Sequence, residues 1–229
     1  MLEQTLQLAG DLGAVWTFGG DLKYPKWIWP QEALTGSLAL LRKYPGPKLM
    51  LPGNHDGDET RIGGSGLSPF ADLATVVERA TVVESVTRGI GSRRLYTSPL
   101  LVIPAGQQGR AVDLLVPSVK AILGHAFLAG TALGSEEIRL ARGLTPADFG
   151  IGTGRVGLFG DIHKGQALMA RPPKPLAWTP FAIPVEAKDP VTVRPRGAWR
   201  GEVFYPGSPY MQNWGEREDG AKGALLVDL

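Results

Sequence analysis

The chain has 229 residues, 43% hydrophobic and 20% charged, with a net charge of +2, proportions that suit one soluble domain with a substantial core. With no cysteine, a disulfide framework and a thiolate metal site are both excluded. No apolar run approaches the roughly 18 residues of a membrane-spanning helix.

The opening residues Met1-Leu2-Glu3-Gln4 lack the basic start and apolar core of a signal peptide, so a cytoplasmic location is expected. Leu2, Leu6, Ala9 and Leu12 recur at helical spacing and predict an amphipathic helix that stops near Gly10 or Gly13. Residues 14–18 read as a strand. A second helix is expected from Gln31 to Lys43, halted by Tyr44-Pro45-Gly46-Pro47. Lys48 to Leu51 is a strand, 57–68 a glycine-rich loop, and Pro69 to Ala80 a helix. Strands are expected at 81–86, 100–104, 112–116, 120–124 and 155–160, with a helix over Ser135 to Arg142. Prolines between Arg171 and Pro195 argue against a central strand or long helix there. Strands at 203–205 and 224–229 close the chain, and no internal repeat is evident. Alternating strands and helices indicate an α/β fold in one domain spanning 1–229, with a proline-rich insertion at about 167–202.

All three histidines follow short apolar runs that end in glycine: Gly53-Asn54-His55-Asp56, Gly124-His125 and Gly160-Asp161-Ile162-His163. A fourth run, Val15 to Gly20, ends in Asp21. Apolar runs of this length are buried strands, and ligands of open α/β sheets gather beyond the carboxyl ends of strands. Four such ends would bring Asp21, Asn54, His55, His125, Asp161 and His163 to one rim. Those oxygen and imidazole donors suit one or two divalent metals.

Three other features carry less. Gly152-x-Gly154-x-x-Gly157 matches a dinucleotide fingerprint, but a strand rather than a helix is expected next. The segment from Arg171 to Arg200 carries a net +4, which suits either a phosphate backbone or a solvated loop. The aromatics Tyr24, Trp27 and Trp29 follow the Asp21 turn, where packing or base stacking would use them.

The blocks Gly20-Asp21, Gly53-Asn54-His55-Asp56, Gly124-His125 and Gly160-Asp161-Ile162-His163 stand in the order of the calcineurin-like metallophosphoesterase superfamily, which the chain resembles. Gly160-Asp161-Ile162-His163-Lys164, with Tyr205-Pro206-Gly207-Ser208 and Asn213-Trp214-Gly215-Glu216, is similar to SbcD-type DNA repair nucleases, especially their phage-type relatives. The resemblance implies a four-layer α/β/β/α sandwich with two mixed sheets. It also implies metal-dependent phosphodiester hydrolysis on DNA, with manganese as cofactor and magnesium the alternative. In the implied roles Asp21 bridges two metals; Asn54, His125 and Asp161 complete one; His163 serves the other; His55 is catalytic. An ATPase of the structural-maintenance type is the implied partner.

The chain departs from the family at three places. The family's first block, D-x-H, and the N-terminal strand that bears it are missing; Asp161 stands where most members carry histidine; Tyr24 replaces the usual partner of the catalytic histidine. Two other readings follow: a non-catalytic remnant that binds nucleic acid or an ATPase, and a phosphoesterase of small nucleotides.

Overall fold

A computed structural model of the chain describes residues 2–22, 30–57, 65–88, 92–132, 138–152, 154–162, 166–168, 179–182, 194–195, 203–205 and 223–226. Over these residues the protein is a mixed α/β structure. Helix α1 (Leu2–Asp11) leads to β1 (Trp16–Phe18), α2 (Gln31–Lys43), β2 (Lys48–Met50) and β3 (Thr75–Val76). The longer strands β4 (Thr81–Arg88) and β5 (Ser92–Ile103) follow, then a short α3 (Gln108–Val112), β6 (Ala121–His125) and β7 (Val156–Gly160). Later come β8 (Gln166–Leu168), β9 (Thr179–Ala182), β10 (Arg194–Pro195), β11 (Val203–Tyr205) and β12 (Gly223–Leu226).

Three sheets result. The first, in the order β1-β2-β3, is parallel throughout the described residues, where mixed pairing was expected. The second is mixed and six-stranded, β4-β5-β6-β7-β11-β8, with β5, β6, β7 and β11 parallel at its centre. A small antiparallel sheet, β10-β9-β12, pairs two strands of the proline-rich stretch with one at residues 223–226. No helix among the described residues is long and apolar enough to cross a membrane.

The central strands are nearly continuous apolar runs because both of their faces are covered. Side chains alternate between faces, so Leu100, Val102, Ala121, Leu123 and Phe204 join Leu49 and Leu51 in one cluster between the six-stranded sheet and the β1-β2-β3 sheet. Leu101, Ile103, Ile122 and Tyr205 point the other way, into a cluster closed by Ala111, Phe149 and Ile151. On its far side the β1-β2-β3 sheet packs Trp16 and Met50 against Leu6 of α1 and Leu41 of α2.

Three expected elements differ. Over 69–80 the chain forms a 3-10 turn at Ser68–Phe70 and then β3, because Thr75 and Val76 pair with Leu49 and Met50. A β-branched pair beside an open strand edge gains a ladder that helix propensity does not match. The expected strand at 112–116 is instead the end of α3 and a turn. Of Ser135 to Arg142, the described residues are not helical, and Arg139 bridges Ala132.

One buried hydroxyl secures the loop that leaves β6. Tyr205 donates to the carbonyl of Ala126 (3.1 Å) and accepts from the amide of Leu128 (3.0 Å), with the Thr131 hydroxyl at 3.3 Å. Burial pushes the Tyr205 phenol up to about 12, so it stays a donor at any working pH. Tyr205→Phe strands two buried backbone groups and is expected to lower unfolding stability by about 1–3 kcal/mol, read from urea melts.

Candidate metal centre

β1, β2, β6 and β7 all run in the same sense within their sheets, and their carboxyl ends carry the predicted donors. Asp21 and Asn54 arrive from the β1-β2-β3 sheet, His125 and Asp161 from the large one. Because His125 is in register with Gly160, Asp161 falls one residue beyond its neighbour on the adjacent strand. One ligand atom each from Asp21, His125 and Asp161 lies within 4.8 Å of the others. This group can hold a metal ion.

The backbone is bent to make this possible. Asp21 (φ 62°) and Asp161 (φ 84°) are the only non-glycine residues with positive φ among those described. Left-handed backbone costs an L-residue about 1–2 kcal/mol, and aspartate tolerates it better than most. Two such bends on two of the cluster's three members turn both carboxylates inward from strands that would otherwise carry them apart. Glycine provides the close approaches: a Cβ on Gly160 would run into the Gly19 carbonyl, and one on Gly53 into the Asp21 carboxylate.

His125 is almost wholly buried. Its Nδ1 lies 2.7 Å from the carbonyl of Gly19. A carbonyl can only accept, so Nδ1 carries a proton and Nε2 is left to face the cluster. Nε2 lies 3.3 Å from Asp21 Oδ2 and 3.5 Å from Asp161 Oδ1. A backbone acceptor that fixes the tautomer of an imidazole in this way is the usual support of a ligating histidine.

Asn54 completes the set. Its side-chain amide is 3.0 Å from His125 Nε2 through Oδ1. Turned over, the same amide donates from Nδ2 to Asp21 Oδ2 at 3.1 Å and Oδ1 at 3.3 Å. The second orientation also sets Nδ2 3.0 Å from His125 Nε2 and so needs that nitrogen bare; with Nε2 protonated the first orientation accepts its proton, and the same oxygen can serve as a ligand.

Electrostatics agree with this picture. Burial pulls the His125 imidazole down, but the carboxylates of Asp161 and Asp21 outweigh it and hold the group up at about 10. Burial raises Asp21, yet the bond and charge of His125, with the His55 amide and ring, hold it below its ordinary value. In the cation-free protein a proton on His125 neutralises the crowded oxygens. A metal would displace that proton.

The loops that follow β1 and β2 are locked by an exchange of carboxylates. Asp21 Oδ1 accepts from the His55 amide at 2.9 Å. In return Asp56 Oδ2 accepts from the amides of Asp21 (2.7 Å), Leu22 (3.3 Å) and Gly53 (2.9 Å). Asp56 is fully buried, and its carboxylate holds together the loops that follow β1 and β2. Sequence reasoning assigned it no such role. The signal was there in Gly-x-x-Asp, since an aspartate three residues into a turn commonly takes backbone amides.

Of the predicted residues, the structure joins Asp21, His125 and Asp161, with Asn54 in contact, and sets His55 beside Asp21 through its backbone. His163 lies outside the described residues, as do Tyr24, Trp27 and Trp29. Gln166 was not anticipated: its amide pairs with both backbone groups of Ala132 (2.9 and 3.0 Å), bracing the loop after His125 from β8. No protein-family model matches the chain, and no curated protein matches it.

Asp56→Ala is expected to lower unfolding stability by about 3–4 kcal/mol, because it strands buried amides that bonded a charge, and to weaken divalent-metal binding in the same preparation. An unchanged urea midpoint would refute the locking role. For pH, His125 is raised above its ordinary 6.5, so its contribution is full below that value and lost as pH climbs through about 10. Asp21 is lowered, so its contribution is present above its ordinary 3.8 and lost as pH falls below it. The melting temperature of chelator-treated protein should therefore decline from pH 6.5 towards 10, and His125→Gln should flatten that decline.

Proposed function

We propose that the chain is a metal-dependent phosphodiester hydrolase acting on DNA, with manganese the preferred ion and magnesium the alternative. The observation that carries this reading is the meeting of Asp21, His125, Asp161 and the Asn54 amide at the carboxyl edges of two sheets, with Nε2 the imidazole nitrogen left to ligate. Two carboxylates, an imidazole and an amide oxygen form a donor set suited to manganese or magnesium rather than to a soft metal. The three apolar clusters support the four-layer sandwich, with α3 and loop segments as its outermost layer.

A cation held there supplies Lewis acidity and positive charge to the phosphate oxygens. In this reading Asp21, Asn54, His125 and Asp161 bind it, and Asp21 with His163 would hold a second ion. Asp21 also fixes the His55 backbone, so the imidazole of His55 leaves from a turn already tied to the metal loop. In the proposed step water would add to phosphorus and release a proton to solvent, the bond to the leaving oxygen would break, and His55 would give that oxygen its proton and regain one from solvent. The Gly19 carbonyl keeps His125 in the ligating tautomer throughout. The net +4 of residues 171–200 favours a polyanionic substrate. Partnership with an ATPase of the structural-maintenance type rests on the sequence resemblance alone.

The test pairs calorimetric titration of manganese with hydrolysis of bis(4-nitrophenyl) phosphate and of a single-stranded DNA end. His55→Ala is expected to lower kcat on both substrates about 100-fold or more while manganese affinity is kept; Asp161→Ala is expected to lose the manganese site. A wild-type chain that binds no manganese, or hydrolyses neither substrate with either metal, overturns the reading.

A further inference from the structure

Beside the metal loop lies a cleft of about 530 Å³ whose wall includes Gly53, Glu78, Arg79, Pro104, Gln107 and Arg110. Gly53 is shared ground, since its amide bonds Asp56 and its Cα packs against Asp21. The cleft therefore starts at the edge of the candidate metal centre and leads away from it.

The two arginines come from separate parts of the chain. Arg79 sits in the link between β3 and β4, and Arg110 on α3. Both are exposed, and neither has an ion pair among the described residues. Glu78 is the acid among the six wall residues named. It is committed elsewhere, its Oε1 accepting from the Ser65 hydroxyl at 2.7 Å and the Ser65 amide at 3.1 Å.

A single side chain ties together the two segments that carry these arginines. Gln107 accepts from the amide of Ala80 at 3.0 Å and donates to the carbonyl of Glu78 at 3.4 Å, gripping the backbone on both sides of Arg79. Gln107 also immediately precedes α3, three residues before Arg110. The amide of Ala105 bonds the carbonyl of Pro52 at 3.1 Å and ties this end of β5 to the turn that leads into Gly53. The backbone segments that carry the two arginines are thus tied together along one cleft, beside the rim where a phosphate would meet a bound cation. Guanidinium is the side chain best shaped to bind phosphate oxygens.

We propose that Arg79 and Arg110 form a backbone-phosphate subsite, which takes the phosphates of a nucleic-acid strand adjoining the one at the metal centre. The ligand class rests on the phosphodiesterase reading and extends it: the substrate is a strand of several nucleotides rather than a mononucleotide. Arg79 and Arg110 act on binding and leave the chemistry at the centre untouched.

The decisive probe is a fluorescent twelve-residue oligothymidylate in chelator, read by anisotropy across a salt series, with bis(4-nitrophenyl) phosphate hydrolysis in manganese measured in parallel. The double variant Arg79→Gln/Arg110→Gln should weaken oligothymidylate binding at least tenfold. It should also reduce the log–log salt slope by about 1.4, or about 0.7 for each single-strand phosphate that no longer meets an arginine, while hydrolysis of the aryl diester is unchanged. Gln107→Ala, which keeps both charges and unties the segments that carry them, should weaken binding by a smaller factor. Oligothymidylate binding and salt slope that match wild type in the double variant overturn the subsite. If binding falls as stated but wild type does not hydrolyse the aryl diester, the subsite stands and the hydrolase reading fails. A parallel loss of affinity for thymidine monophosphate, equal to that for the oligomer, overturns the strand assignment.

Discussion

The candidate site depends on two aspartates that each hold the other's loop. Asp56 takes amides from the Asp21 turn and from Gly53; Asp21 takes the amide of His55. Each carboxylate is thereby anchored by the backbone that the other positions, and the ends of β1 and β2 become one rigid unit. Buried charge-assisted hydrogen bonds of this kind are strong individually and costly to break, because the stranded partner has no water to turn to. Everything nearer the candidate centre is built on that unit: the inward bend of Asp21, the placing of Asn54, and the contact of Gly19 with His125.

The large sheet contributes the other half by a different device. Register between β6 and β7 sets His125 beside Gly160, so Asp161 follows where the strand has just ended. Close glycine approaches then let the two halves meet: Gly160 packs on the Gly19 carbonyl that His125 Nδ1 also uses. One carbonyl oxygen beyond β1 therefore orients the ligand of the large sheet. The centre is a joint between layers, and the inter-sheet cluster around Leu49, Val102 and Leu123 keeps it closed.

Much of this was legible in the sequence. The run Lys48 to Leu51 is apolar after its first residue and is soon followed by glycine, which suffices to predict a buried strand delivering Asn54. The helix Gln31–Lys43 was readable to the residue, its end set by Tyr44-Pro45-Gly46-Pro47. Asp21, His125 and Asp161 were found because each lies at the end of such a strand. What escaped were residues whose task depends on partners far away in sequence. Asp56 looks like a turn carboxylate until Asp21 and Leu22 are seen to donate to it from 35 and 34 residues away. Tyr205, Gln166 and Gln107 act through backbone groups on other segments, which no local pattern encodes. The missed strand at Thr75 likewise owes its form to Leu49 and Met50 as neighbours rather than to its own spelling.

The left-handed bends at Asp21 and Asp161 set backbone strain against side-chain pairing. Glycine at either place would relieve the main chain of about 1 kcal/mol, but it would also remove a carboxylate that faces the buried His125, so pairing inside the centre holds each bend in place. Position 161 is the more vulnerable of the two, since Asp21 is retained for a second reason as the acceptor for the His55 amide. Among the described residues, relaxation at 161 is thus opposed by the histidine pairing alone, whereas at 21 it would also release the turn that carries His55.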